Sequence, residues 1–183
     1  MTEYERILHE EGGKYGWGLI LIYPDLLQQV LTELKKRVER PKILDVGAWK
    51  CMLRKWLLEN VGDVDYVGVD VIELSDRDKD AEFKVMSPVN LLFPPESFDV
   101  VIMLEVLEHI QDYTLALREA YRVLGPKGLL FIQSVKCTDP NALYDRTHFH
   151  VLHPVTLSRL LSWIGFKNIA IKDGSNFVVI AFK

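Results

Sequence analysis

Two cysteines in 183 residues, Cys51 and Cys137, are too few for a disulfide framework and lack the spacing of metal-ligand pairs. The expectation is an intracellular, cytoplasmic protein with reduced thiols. Basic charge is also scarce, with 22 Lys and Arg against 26 Asp and Glu and a net charge of −4. A chain that neutralises many phosphates needs a basic surface, so nucleic acid is a disfavoured partner. No apolar run reaches the roughly 20 residues of a membrane span, and residues 17–23 fall well short. The opening Met1-Thr-Glu-Tyr-Glu-Arg6 is too acidic for a secretory signal. Two phosphate-binding loops are missing as well. Neither Gly-x-x-x-x-Gly-Lys-Ser/Thr nor the dinucleotide fingerprint Gly-x-Gly-x-x-Gly occurs.

What is present is an ordinary globular composition, 49% apolar and 26% charged. A chain of this length buries about 70% of the surface its unfolded form exposes, which suits one domain with a short extension. Mean hydropathy is slightly positive at +0.06, enough for an apolar pocket or a self-association face such as a homodimer's. Leu26, Leu27, Val30, Leu31, Leu34 and Val38 recur at helical spacing, with Pro24 in the first turn and Pro41 beyond the last. That pattern predicts a helix over residues 24–39. The glycine- and aromatic-bearing stretch before it, residues 12–18, reads as a loop able to act as a lid.

From residue 42 onward, apolar strands alternate with amphipathic helices. Strands are expected at 42–46, 66–70, 83–86, 98–104 and 129–135. Helical faces are set by Met52, Leu53, Trp56 and Leu57, by Leu117, Ala120, Tyr121 and Leu124, and by Leu157, Leu160, Leu161 and Ile164. Gly125-Pro126 and Gly165 stop the last two helices. Residues 168–172 and 177–182 flank Asp173-Gly-Ser-Asn176, a hairpin signal. Continuous apolar strands mean a sheet covered on both faces, an α/β fold with one antiparallel strand contributed by the closing hairpin.

In such sheets ligands sit at the carboxyl ends of the strands. The polar residues there are Asp45 with Gly47, Asp70, Ser87, Glu105 with Glu108 and His109, and Ser134. Asp70 follows Gly47 by the interval at which a carboxylate accepts ribose hydroxyls; a helix cap or solvated acid reads equally well. A buried Asp45 needs partners, and the loop's N–H groups are the expected ones. His109 suits a general base or a structural loop residue. His148, His150 and His153 with Asp145 have metal-ligand chemistry but no standard spacing, so no metal is expected. Tyr15, Trp17, Trp49, Tyr144 and Phe149 are candidates to line an apolar pocket, although core packing is their default.

Asp45-Val-Gly47, Val67-Gly-Val-Asp70, Ser97-Phe-Asp-Val-Val-Ile102 and Leu104-Glu-Val-Leu-Glu-His-Ile110 resemble class I S-adenosylmethionine (SAM) dependent methyltransferases. The similarity is to the small-molecule type related to quinone-biosynthesis and sugar methyltransferases. Arg118-Glu-Ala-Tyr-Arg-Val-Leu124 with Gly125-Pro-Lys-Gly-Leu-Leu-Phe131, and Asp145-Arg-Thr-His-Phe-His150, extend it over roughly residues 40–182. The resemblance implies a Rossmann-like, doubly wound, seven-stranded, mostly parallel sheet. It divides the chain into an N-terminal loop and helix (1–40) and a SAM-binding domain (41–183). It implies SAM as cofactor, held by Asp45, Gly47, Ala48, Trp49, Asp70, Val71, Ser87, Pro88 and Glu105. For an acceptor hydroxyl or amine, His109 and His148 are the candidate catalytic bases. The expected partner is a small-molecule methyl acceptor.

This chain departs from the family pattern Asp-x-Gly-x-Gly-x-Gly at two places, where Trp49 and Cys51 replace glycines. Ser87 stands where an adenine-binding acid is common. Lys50 suits either the cofactor carboxylate or solvent. Two other readings therefore stand beside the first. One is a non-catalytic relative with Trp49 filling the cofactor space, serving as a binding or regulatory protein; the other is an RNA methyltransferase.

Overall fold

The computed structural model describes Arg6, Ile7 and residues 20–183. Seven strands form one sheet: β1 Lys42–Val46, β2 Asp65–Asp70, β3 Glu82–Val85, β4 Phe98–Leu104, β5 Leu124–Ser134, β6 Lys167–Asp173 and β7 Phe177–Phe182. Their order across the sheet is β3-β2-β1-β4-β5-β7-β6. Strands β1 to β5 pair in parallel, and β7 runs antiparallel to both β5 and β6. The hairpin thus supplies one reversed strand, as its turn residues predict. After β3 the chain returns to the middle of the sheet and builds outward the other way from β4. A crevice opens where the two directions diverge, at the carboxyl ends of β1 and β4.

Alternate strand residues face opposite sides, and both sides are apolar. Leu44, Val46, Val101, Met103, Leu130, Ile132, Val179 and Ala181 join one buried cluster. That face is covered by α3 (Tyr113–Val123) and α5 (Pro154–Ile164) through Leu117, Ala120, Leu157 and Leu161. Ile43, Val100, Ile102, Leu129, Phe131, Val178 and Ile180 form the other cluster. It is covered by α1 (Pro24–Lys35) and α2 (Met52–Asn60), which bury Leu27, Leu31, Leu34, Leu53 and Leu57. Helix α1 therefore shares a core with the sheet.

Three local features differ from the sequence expectation. Helix α1 ends at Lys35 rather than residue 39, because Lys36 and Arg37 donate to Glu33 and Leu34 in tight turns. Strand β5 begins at Leu124, and residues 125–128 bulge out between the pairs Phe98–Leu124 and Val100–Leu129. A short helix, α4 (Pro140–Tyr144), is capped by the Asp139 carboxylate, which accepts from Asn141 N–H at 2.9 Å. Among the described residues no helix is long and apolar enough to cross a membrane.

Candidate active site

Strand β1 runs into a turn at Gly47, whose φ is +77°. A Cβ added here would overlap the Val106 side chain, so both the conformation and the space require glycine. Gly47 and Ala48 N–H donate to Val69 O at 2.9 and 3.0 Å, fastening the loop to the end of β2. Trp49 (φ 48°) and Cys51 (φ 59°) are also left-handed. The loop keeps the conformation of a glycine-rich turn at the two positions where glycines are replaced, at a cost of about 1–2 kcal/mol each.

Asp70 is what holds Trp49 in place. Its Oδ2 accepts Trp49 N–H at 2.9 Å and its Oδ1 accepts Ile72 N–H at 3.3 Å. Burial raises its carboxyl above the usual range, and these N–H groups oppose the shift. Lys50 pairs with Asp76 at 2.8 Å, an arrangement the sequence did not suggest.

Asp45 does not accept from the loop. Its Oδ2 takes the Tyr66 hydroxyl at 2.6 Å, because the loop N–H groups are already bound by Val69 O. Burial pushes the Asp45 carboxyl up to about 7, against the Tyr66 bond that lowers it. Burial also raises the Cys51 thiol to about 11, which makes it inert at neutral pH.

The opposite wall is made of side chains. After β4, Glu105 sits at φ 50°, followed by a 3₁₀ turn, Leu107–His109. Glu105 Oε1 accepts from Gln133 Nε2 and Asn176 Nδ2, each at 2.8 Å. Glu108 is fully buried and accepts the Ser134 hydroxyl at 2.9 Å. Burial, then the neighbouring Glu105 charge, raise its carboxyl to about 8, against the Ser134 bond that lowers it.

Residues 145–150 are fastened to this turn. Phe149 and His150 N–H both donate to Glu108 O, and His150 Nε2 meets Gln111 O at 3.0 Å. His109 Nδ1 meets Thr147 O at 3.0 Å, and the His109 and His148 rings stack edge to face with centroids 4.8 Å apart. Burial lowers His109 to about 4, so its ring is neutral near pH 7.

The two walls enclose a cavity of about 750 Å³, within the range of small-molecule sites. Asp45, Gly47, Ala48, Trp49, Asp70, Val71, Ser87, Pro88, Glu105, His109 and His148 all border it. Trp49 forms part of the wall and leaves the space open. Of the aromatic candidates, Trp49 and Phe149 reach the cavity, whereas Tyr144 is 84% exposed at the surface. Tyr15, Trp17 and the glycine-bearing loop at 12–18 lie outside the described residues.

His150 and His153 do not join His148. His150 binds Gln111 O, and His153 caps α5 by accepting Val155 N–H at 3.2 Å. Sequence reasoning missed Gln133, which is fully buried. Its Nε2 donates to Ile20 O, and its Oε1 accepts Ile22 N–H at 2.8 Å, tying the incoming chain to Glu105. A glutamine inside an apolar strand was the available signal.

A family model described as a methyltransferase domain matches residues 21–171. Phosphoethanolamine N-methyltransferase 3 of Arabidopsis thaliana is 30% identical over 147 residues, 72% of this chain and 30% of its own length. Ubiquinone/menaquinone biosynthesis C-methyltransferase UbiE of Vibrio campbellii is 29% identical over 175 residues, 83% of this chain and 66% of its own. The chain thus spans between 30% and 66% of these relatives. A SAM-dependent methyltransferase structure from Archaeoglobus fulgidus superposes with a TM-score of 0.69 at 17% identity, covering 85% of this chain and 94% of that one. Seven strands in this order, a crevice at the β1–β4 divergence and a family match over most of the length agree: the chain belongs to the methyltransferase domain family.

Proposed function

We propose that the chain is a SAM-dependent methyltransferase acting on a small-molecule acceptor. The observation that carries this reading is the cavity itself. It lies at the strand ends where α/β sheets bind ligands, and a left-handed loop and a buried acid border it, within a chain of the methyltransferase family. The residues present fit the cofactor, since Trp49 does not fill the space and Asp70 keeps lone pairs that its two loop bonds do not use. The reading in which Trp49 plugs the site, and the reading with an RNA acceptor, find no support in these observations.

SAM supplies an activated methyl group on a sulfonium when bound. In this proposal Gly47 and Ala48 let the backbone come close to its methionine part, and Asp70 accepts the ribose hydroxyls. Val71, Ser87 and Pro88 flank the adenine. Glu105 borders the sulfonium end, and its carboxylate complements positive charge. His109 and His148 reach the acceptor end, where they take the proton of an acceptor hydroxyl or amine. Holding donor and acceptor in line supplies roughly 7–11 kcal/mol of barrier lowering in favourable cases. Calorimetric titration with S-adenosylhomocysteine tests the reading. Binding in the micromolar range, about −8 kcal/mol, is expected, with at least roughly tenfold weakening in Asp70→Ala. No heat and no thermal shift in the folded wild type would sink it.

A further inference from the structure

Glu108, His109 and His148 each bring one ligand atom to within 4.8 Å of the other two. The Nδ1 of each imidazole faces a backbone carbonyl, Thr147 O at 3.0 Å and Ala142 O at 2.9 Å. A carbonyl only accepts, so Nδ1 carries the hydrogen and the ring lone pair lies on Nε2. A metal-ligating histidine needs that tautomer, with its other nitrogen oriented by a carbonyl in this way.

Glu108 gives the second, independent observation. It is fully buried, its Oε2 accepts the Ser134 hydroxyl, and among the described residues its Oε1 has no hydrogen-bond partner. Leaving a buried oxygen so costs on the order of 1–3 kcal/mol unless something else binds it. Glu105 beside it is held by two neutral amides, Gln133 and Asn176.

We propose that Glu108, His109 and His148 form a site for a divalent transition metal of the zinc class, with one coordination position facing the cavity. Two imidazoles and a carboxylate suit zinc or ferrous iron, and poorly suit magnesium or calcium, which take oxygen ligands. Zinc bonds of about 2.0–2.1 Å place tetrahedral ligands about 3.4 Å apart, so binding draws the three atoms together by up to about 1.4 Å. Both histidines border the cavity, which puts the remaining position toward the acceptor.

The ligand this position takes is an acceptor hydroxyl, a step that rests on the methyl-transfer reading. The cation lowers the hydroxyl's pKa, and its proton leaves to water. The oxygen then attacks the methyl carbon, and the electron pair of the breaking carbon–sulfur bond stays on sulfur. In this role the two histidines hold the cation rather than take the proton.

The test titrates the chelator-stripped full chain with cobalt(II), followed by its visible absorption, and with zinc by calorimetry. One ion per chain is expected, with visible bands of a low-coordinate site. His148→Ala should weaken binding at least roughly 30-fold, since loss of a ligand exceeds the 10–100-fold typical of outer-shell changes at its lower end. Circular dichroism shows that the fold is kept. His148→Ala carries the test because its ring reaches the cavity, whereas Glu108 is buried deeply enough for Glu108→Gln to disturb the fold. Wild-type protein that takes up no cobalt at roughly millimolar concentration overturns the site, as does uptake unchanged in His148→Ala. S-adenosylhomocysteine is titrated into the same samples. Cobalt binding without it upholds the metal site and sinks the methyl-transfer reading, and the reverse result does the opposite.

Discussion

Along the loop from Gly47 to Cys51 the contacts that shape the cavity are made by backbone: two N–H groups on Val69 O and one on Asp70. Across the cavity, from Glu105 to His148, backbone bonds to Glu108 O are joined by side-chain bonds whose partners lie on β5, the β6–β7 turn and residues 142–147. The difference explains how the first wall tolerates substitutions that look fatal in the sequence. A backbone-built loop needs a conformation at residues 49 and 51, and Trp49 and Cys51 adopt it at a modest cost. A side-chain wall needs particular chemical groups, so Glu105 and Glu108 are less replaceable than their loop position suggests, and Gln133 on β5 is held to its chemistry in the same way.

The sharpest challenge to this contrast is Gly47→Ala. A left-handed φ and overlap with Val106 together should cost about 4 kcal/mol, seen as a lower urea midpoint. Near-normal stability would show that the backbone wall is softer than described.

Asp45→Asn comes next and tests the pH behaviour of the buried acid under the loop. With its folded pKa raised to about 7, the folded state binds more protons than the unfolded state between roughly pH 4 and pH 7. Stability attributable to Asp45 is therefore full below that window and is lost as pH rises through it. Asparagine still accepts the Tyr66 hydroxyl and removes the loss. The variant should match wild type near pH 4 and exceed it by roughly 4 kcal/mol at pH 8 in denaturant titrations. Parallel curves for the two proteins would mean that Asp45 stays charged.

Gln133→Ala probes the other wall. It removes bonds to Ile20, Ile22 and Glu105 and should cost about 2 kcal/mol, with faster amide exchange at Ile22. The smallest effect is expected from Trp49→Gly, a gain of about 1 kcal/mol from relief of the left-handed strain. Cofactor affinity should be kept or improved. A loss of affinity in a stable Trp49→Gly would make the indole a positive contact and move residue 49 into the side-chain class.

Much of the frame was legible before any coordinates. The bounds of β1, β4 and β7 follow directly from apolar runs ended by polar residues, since strands buried on both faces admit no alternation. Helix α4 escaped notice because five residues hold too little periodicity, although Asp139-Pro140 carried a cap signal. The partners of the polar residues were harder to read. Asp45 was expected to serve the adjacent loop, but the loop had taken Val69 O, and Tyr66 from the neighbouring strand reached Asp45 first. His148 was grouped with its sequence neighbours His150 and His153, yet it meets Glu108 and His109.

Strand positions, the covered sheet and the row of acids at the strand ends were written in hydrophobic pattern and spacing, which are local and repeat along the chain. The choice of partner for each buried polar group was decided only when the sheet closed. A buried donor or acceptor must bond whatever lies within about 3 Å. For Asp45, Glu108 and His109, that neighbour came from a distant part of the sequence.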